Sequence, residues 1–153
     1  MHTGDHDMLS LTRLALFAVF LTGSVFLLVA DLKAQSPDLA ISGYDPVSYF
    51  TGRRPVEGSA SHSTVHNGRT YHFATAENKA RFVGDPERYA PRYDGYCAFG
   101  VARGYKVGID PLSYKVVDGA LYLNYSRSVQ RQWSRDIPGF IAQANAKWPA
   151  LKN

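Results

Sequence analysis

The dipeptide Asn67-Gly68 stands between "HSTVH" and "RTYHF", two runs rich in strand-forming residues. Asn-Gly is the strongest short signal for a two-residue β-hairpin, because a type I′ turn demands positive φ at both central positions. Asp118-Gly119, between "YKVV" and "ALYLNY", carries the same signal. Two hairpins so placed commit the chain to antiparallel pairing, and the segments around them carry helix starts. Asp45-Pro46 opens a single helical turn, with Asp45 as cap and Pro46 at the first helical position. Thr75 opens a helix that ends near Gly84, and Asp85-Pro86 begins a second short one. Ser126 or Ser128 caps "VQRQWSR", and Asp136 with Pro138 restarts a helix through "GFIAQANAKW". The fold class that follows is α+β: a small single domain with two β-hairpins and short flanking helices. No internal repeat and no low-complexity tract is evident.

Leu14 to Ala30 is an uncharged run of seventeen residues, short of the about 20 that span a bilayer. Arg13 precedes it and "LKA" (Leu32 to Ala34) follows it, the layout of a secretory signal peptide. Residues 1–34 are therefore expected to be a signal peptide or, with Leu32 a poor cleavage residue, an N-terminal anchor. The start is Met1 or Met8. Residues 35–153 are expected to form the domain, with a core over 42–100 and the C-terminal hairpin and helices over 101–153. The expected location is periplasmic or secreted, with a membrane contact only if the leader stays attached. The net charge of +4 comes from scattered basic residues, and no basic-aromatic motif points to nucleic acid. One cysteine, Cys97, rules out a disulfide framework within the chain.

His62, His66 and His72 lie close together in sequence and invite a metal hypothesis. The turn at Asn67-Gly68 pairs His66 with Arg69, Thr64 with Tyr71 and His62 with Phe73. It pairs His72 with Ser63 and sends it to the opposite face. His62 and His66 then lie roughly 13 Å apart on one face, whereas ligands of one ion each sit about 2 Å from it. The three cannot converge, although His72 could join a ligand from elsewhere. In the second hairpin, Tyr114, Val116, Leu121 and Leu123 share one face suited to a core, with Tyr122 and Lys115 on the other. Cys97 has four readings: a small buried residue in a glycine-rich passage, a copper or haem ligand with His72, a reactive thiol beside Lys106 or an arginine with His72 as base, or an intermolecular disulfide.

"GYDPVSYF" and "NGRTYHFATAENKARFVGDPERY" resemble the YHS domain, a small module found beside metal-handling proteins, including copper-exporting P-type ATPases. Asp45, Pro46, Val47, Tyr71, Phe73, Phe82, Pro86 and Tyr89 match its pattern, from Ser42 to about Tyr89. The remainder is similar to an exported bacterial subgroup of the family. Where metal-binding members carry cysteine, this chain has Ser48, Ala74 and Asn78, so the resemblance implies the framework without those ligands. It implies an exported binding or accessory module, with copper- or haem-related metal handling through Cys97 and His72. The alternatives are a thiol-dependent enzyme or redox partner using Cys97, and a non-catalytic interaction scaffold marked by an exposed patch of tyrosines. No catalytic residue is assigned, the partner is a metal ion or small ligand, and the oligomeric state stays open.

Overall fold

The structure, a computed structural model, describes residues 38–51 and 53–153. Pro37–Asn153 forms a compact unit of its own; the expected leader lies outside the described residues. Five strands and five α-helices follow in chain order: β1 (Asp38–Leu39), β2 (Ser59–His66), β3 (Arg69–Phe73), α1 (Ala76–Gly84), α2 (Pro86–Tyr89), α3 (Ala98–Arg103), β4 (Asp110–Val117), β5 (Ala120–Asn124), α4 (Arg127–Trp133) and α5 (Ile137–Lys152). Three 3₁₀ turns, Ala40–Gly43, Pro46–Phe50 and Arg92–Gly95, complete the set. The fold is α+β, as expected. One sheet has the order β1-β3-β2, with β1 added parallel to β3, and the other is the β4-β5 hairpin. Among the described residues no helix is long and apolar enough to cross a membrane.

Both turns form where their dipeptides stand. Asn67 and Gly68 take φ of 49° and 75°, Asp118 and Gly119 take 50° and 75°. His66 pairs with Arg69, Thr64 with Tyr71 and Ser63 with His72. The expected His62–Phe73 pair does not form, because a bulge between Ser59 and Ser63 moves Ser59 opposite Phe73. A bulge takes up extra residues on one strand and so breaks the alternation on which that pairing relied.

The chain is also an internal repeat, which the sequence reading missed. Each half begins with three consecutive left-handed residues, Ile41-Ser42-Gly43 and Tyr93-Asp94-Gly95. A tyrosine and a helix cap follow: Tyr44 then Asp45, Tyr96 then Cys97. Each half then runs a short helix, an eight-residue strand, a two-residue turn and a five-residue strand. The second bulge, between Asp110 and Tyr114, matches the first. Ser59 and Asp110, Phe73 and Asn124, Thr75 and Ser126, Phe82 and Trp133, and Asp85 and Asp136 are all 51 residues apart. Even the caps agree, Asp85 at φ −152°, ψ 73° and Asp136 at φ −153°, ψ 70°. The seam between the two halves therefore falls at Ala90–Pro91.

Two apolar clusters hold the halves together. One joins Val47, Tyr49, Tyr71, Phe73 and Phe82 to Leu121 and Leu123. The other gathers Tyr93, Val101, Tyr122, Trp133 and Ala144 around the opposite face of β5. All five residues of β5 are buried, so this strand is covered on both faces and serves both cores. Tyr114 and Val116 pack with Leu121 and Leu123, as the alternation requires, while Lys115 is exposed.

Candidate functional site

Asp45 is fully buried and forms no ion pair among the described residues, and hydrogen bonds satisfy it. Its Oδ1 accepts from the Val47 amide at 2.9 Å. Its Oδ2 accepts from the Ala74 amide at 2.9 Å and from Asn78 Nδ2 at 2.6 Å. The Ser48 hydroxyl donates to the Asp45 carbonyl at 2.6 Å and accepts from the Val56 amide at 3.2 Å. One carboxylate thus ties the first 3₁₀ turn to the end of β3 and the start of α1.

Cys97 holds the corresponding place in the second half and is 1 % exposed. Its Sγ accepts from the Gly100 amide at 3.4 Å and from the Tyr125 amide at 3.3 Å, and donates to Asn124 Oδ1 at 3.8 Å. Tyr125 lies 51 residues after Ala74, so the sulfur does for β5 and α3 what the Asp45 carboxylate does for β3 and the first turn. Asn124 is itself fully buried and its Nδ2 has no partner. A half-turn of that amide would let Nδ2 donate to sulfur, as Asn78 donates to Asp45.

The histidines go elsewhere. His66 bonds to Asn67 Nδ2 at 3.1 Å, stands 3.9 Å from Glu87 and packs edge-on against Phe82. His72 is half-buried on β3, with Nδ1 turned toward Gly43. His62 is half-buried within the bulge. Among the described residues, no three His, Cys, Asp or Glu side chains gather as a metal site would need.

A cleft unforeseen from sequence lies where the first hairpin and the seam meet the end of α5. His66, Asn67, Arg69, Tyr71, Glu87, Arg92, Tyr93 and Asp94 line one side, and Asn145, Trp148 and Lys152 the other, around about 260 Å³. A second hollow of about 200 Å³ shares Asn67, Arg69, Asp94, Trp148 and Lys152 with it and adds Asp38, Tyr96 and Lys106. Arg69 forms the wall between them. It donates through Nη1 to the Asp94 carbonyl and through Nη2 to Asp38 at 3.2 Å, with its guanidinium 5.9 Å from the Tyr96 ring. Tyr93 donates to Asn145 Oδ1 at 3.0 Å and meets Trp148 edge-on. Burial pushes the Tyr71 hydroxyl up to about 12, despite the opposing pull of Arg69. The only trace of the cleft in the sequence is a strand-initial arginine, whose partners lie far along the chain.

Residues 47–93 match the family model of the YHS domain. That stretch is a YHS domain. No curated protein and no solved structure matches the chain. The match to the YHS domain ends at Tyr93, where the second repeat begins, so the second half reproduces its architecture beyond the matched segment.

Within the YHS domain, the positions that the resemblance assigns to cysteine ligands are brought together. Ser48, Ala74 and Asn78 all bond to Asp45. Their atoms are a hydroxyl, a backbone amide and a side-chain amide, none of them a soft donor, and they do not fit copper. Cys97 is the counterpart of Asp45, not of those positions. Its lone pairs already accept two backbone N–H groups, and His72 is not among its hydrogen-bond partners. This setting does not fit a resident soft metal, and a cleft of about 260 Å³ falls below the about 300 Å³ at which drug-sized pockets begin.

Proposed function

We propose that the protein is an exported, non-catalytic binding module that takes a small ligand in the cleft between its YHS domain and helix α5. The observation that carries this reading is Arg69, held by the Asp94 carbonyl, Asp38 and Tyr96 in the wall shared by two hollows. A cationic side chain fixed before a ligand arrives loses little rotamer freedom on binding. The lone thiol lies outside the cleft, where Cys97 caps a helix, and the one histidine on the cleft wall, His66, is hydrogen-bonded to Asn67.

A fragment mixture of neutral, cationic and anionic compounds, followed by ¹H–¹⁵N NMR on the full chain, tests the proposal. Saturable shifts at the amides of Asn67, Arg69 and Asp94 and at the Trp148 indole are expected. Shifts absent from the cleft would overturn it. Metal handling through Cys97 and His72 is the second reading, favoured by the family resemblance, and it requires the sulfur to leave its two amide donors. It predicts Cu(I) or haem binding that Cys97→Ala abolishes. Binding of that kind would displace the cleft proposal, and equal behaviour of the two proteins would remove the metal reading.

A further inference from the structure

We propose that the ligand of this cleft is a small organic anion, a carboxylate or phosphate carried on a flat body. The inference rests on the binding-module reading and adds the ligand's chemical class. Four basic side chains line the two hollows, Arg69, Arg92, Lys106 and Lys152, beside three acidic ones, Asp38, Glu87 and Asp94. Two of the acids are already engaged: Asp38 with Arg69 at 3.2 Å, and Glu87 facing His66 at 3.9 Å. Among the described residues Arg92, Lys106 and Lys152 form no ion pair, and Asp94 is the one lining carboxylate in the same condition. Four basic side chains against three carboxylates leave the joined hollows with a net positive charge while His66 is neutral, and concave walls concentrate such a field.

The aromatic walls argue for a flat body. Tyr71, Tyr93 and Trp148 line the larger hollow and Tyr96 the smaller, with the Tyr93 and Trp148 rings 5.7 Å apart. Lys106 Nζ stands 5.6 Å from the Tyr96 ring, which the Arg69 guanidinium also approaches at 5.9 Å. The internal repeat supplies a comparison within the same molecule. At the positions of His66, Arg69 and Glu87 the second half carries Val117, Ala120 and Pro138. Its own hollow there is lined by Val116, Val117, Ile137, Pro138 and Ile141 together with Lys115, Asp118 and Asn145. At these three positions the same architecture thus carries polar and charged side chains in the first half and apolar ones in the second.

The test titrates the full chain with benzoate, phenyl phosphate, inorganic phosphate, benzylamine and benzyl alcohol, read by Trp148 indole and cleft amide shifts. Benzoate or phenyl phosphate is expected to bind saturably, and which of them binds tighter separates carboxylate from phosphate. Inorganic phosphate is expected to bind at least tenfold more weakly than phenyl phosphate. Lys106→Gln with Lys152→Gln, both at exposed positions that leave the cores untouched, is expected to weaken the aromatic anion at least tenfold. If benzylamine or benzyl alcohol binds as well as the anions, or the double variant binds undiminished, the anion class is wrong while the binding-module reading stands. If neither these probes nor the fragment mixture perturbs the cleft, the binding-module reading fails with it.

Discussion

At Cys97 two backbone N–H groups, of Gly100 and Tyr125, converge on one sulfur that solvent barely reaches. Removing the acceptor would orphan both, at about 1–3 kcal/mol per buried donor. Cys97→Val, close in size but without an acceptor, is therefore expected to lose at least that amount in urea unfolding. Cys97→Ser keeps an acceptor and is expected to lose clearly less; equal losses would mean that packing, not hydrogen bonding, sets the requirement. A thiol so placed is expected to react with iodoacetamide only as the native state opens, so its alkylation should accelerate with denaturant. The Asp45 centre invites the reverse experiment. Replacing Ser48, Ala74 and Asn78 together by cysteine is expected to create a thiolate site able to bind Cu(I), checked by competition with a chromogenic chelator. No gain in affinity would show that the Asp45 network does not hold those positions within reach of one ion. At this scale the sequence pointed to Asp45 as a cap and to the missing cysteines. It could not show Cys97 as the equivalent of Asp45, because that equivalence lies in which amides each side chain faces.

Among the elements, the hairpins show how local chemistry and tertiary contact divide the work. The turns need positive φ, and Asn67-Gly68 and Asp118-Gly119 supply it, so their positions were legible from four residues. The bulges between Ser59 and Ser63 and between Asp110 and Tyr114 were not, because no residue type with a fixed backbone demand marks them. Gly58, just before β2, shows why the first one is tight: a side chain there would run into the His72 carbonyl and the Phe73 amide. Gly58→Ala is expected to destabilise the protein by about 1–3 kcal/mol, the range for forced overpacking. Gly108→Ala, at a glycine just before β4 with open space around it, is expected to stay within about 0.5 kcal/mol, as exposed sites do. Thermal unfolding of the two variants checks both, and a Gly108→Ala loss as large as that of Gly58→Ala would mean that backbone freedom rather than the close approach matters. The caps were read correctly as well: Thr75 accepts from Asn78 and Ser126 from Val129, which resolves the Ser126 or Ser128 alternative in favour of Ser126.

For the whole molecule, the two cores share four tyrosines whose hydroxyls burial drives upward: Tyr49, Tyr71, Tyr93 and Tyr122. A phenol that ionises near 10 in the unfolded chain but higher in the native state leaves the native state holding more protons above that pH. Stability then falls as pH rises. It is fully present below about pH 10, and the Tyr71 share is lost progressively as pH rises through about 12. Urea midpoints are expected to decline from about pH 10 upward, and Tyr71→Phe to decline less steeply. A flat profile in the native protein would exclude the burial of these phenols. From the sequence alone came the α+β class, both turns, the helix caps and the YHS-like framework, because each is set by a few neighbouring residues with fixed backbone demands. The repeat escaped that reading. Between Ser63–Phe82 and Tyr114–Trp133 only Val65/Val116, Gly68/Gly119 and Tyr71/Tyr122 are identical, and what the halves share is backbone geometry and capping rather than residue identity. The cleft escaped it too, since Arg69, Asp94 and Trp148 meet only when the seam and α5 pack together. Local conformational preference acts over a few residues and is written in sequence, whereas a site built from three distant segments exists only once burial of the two cores has brought them together.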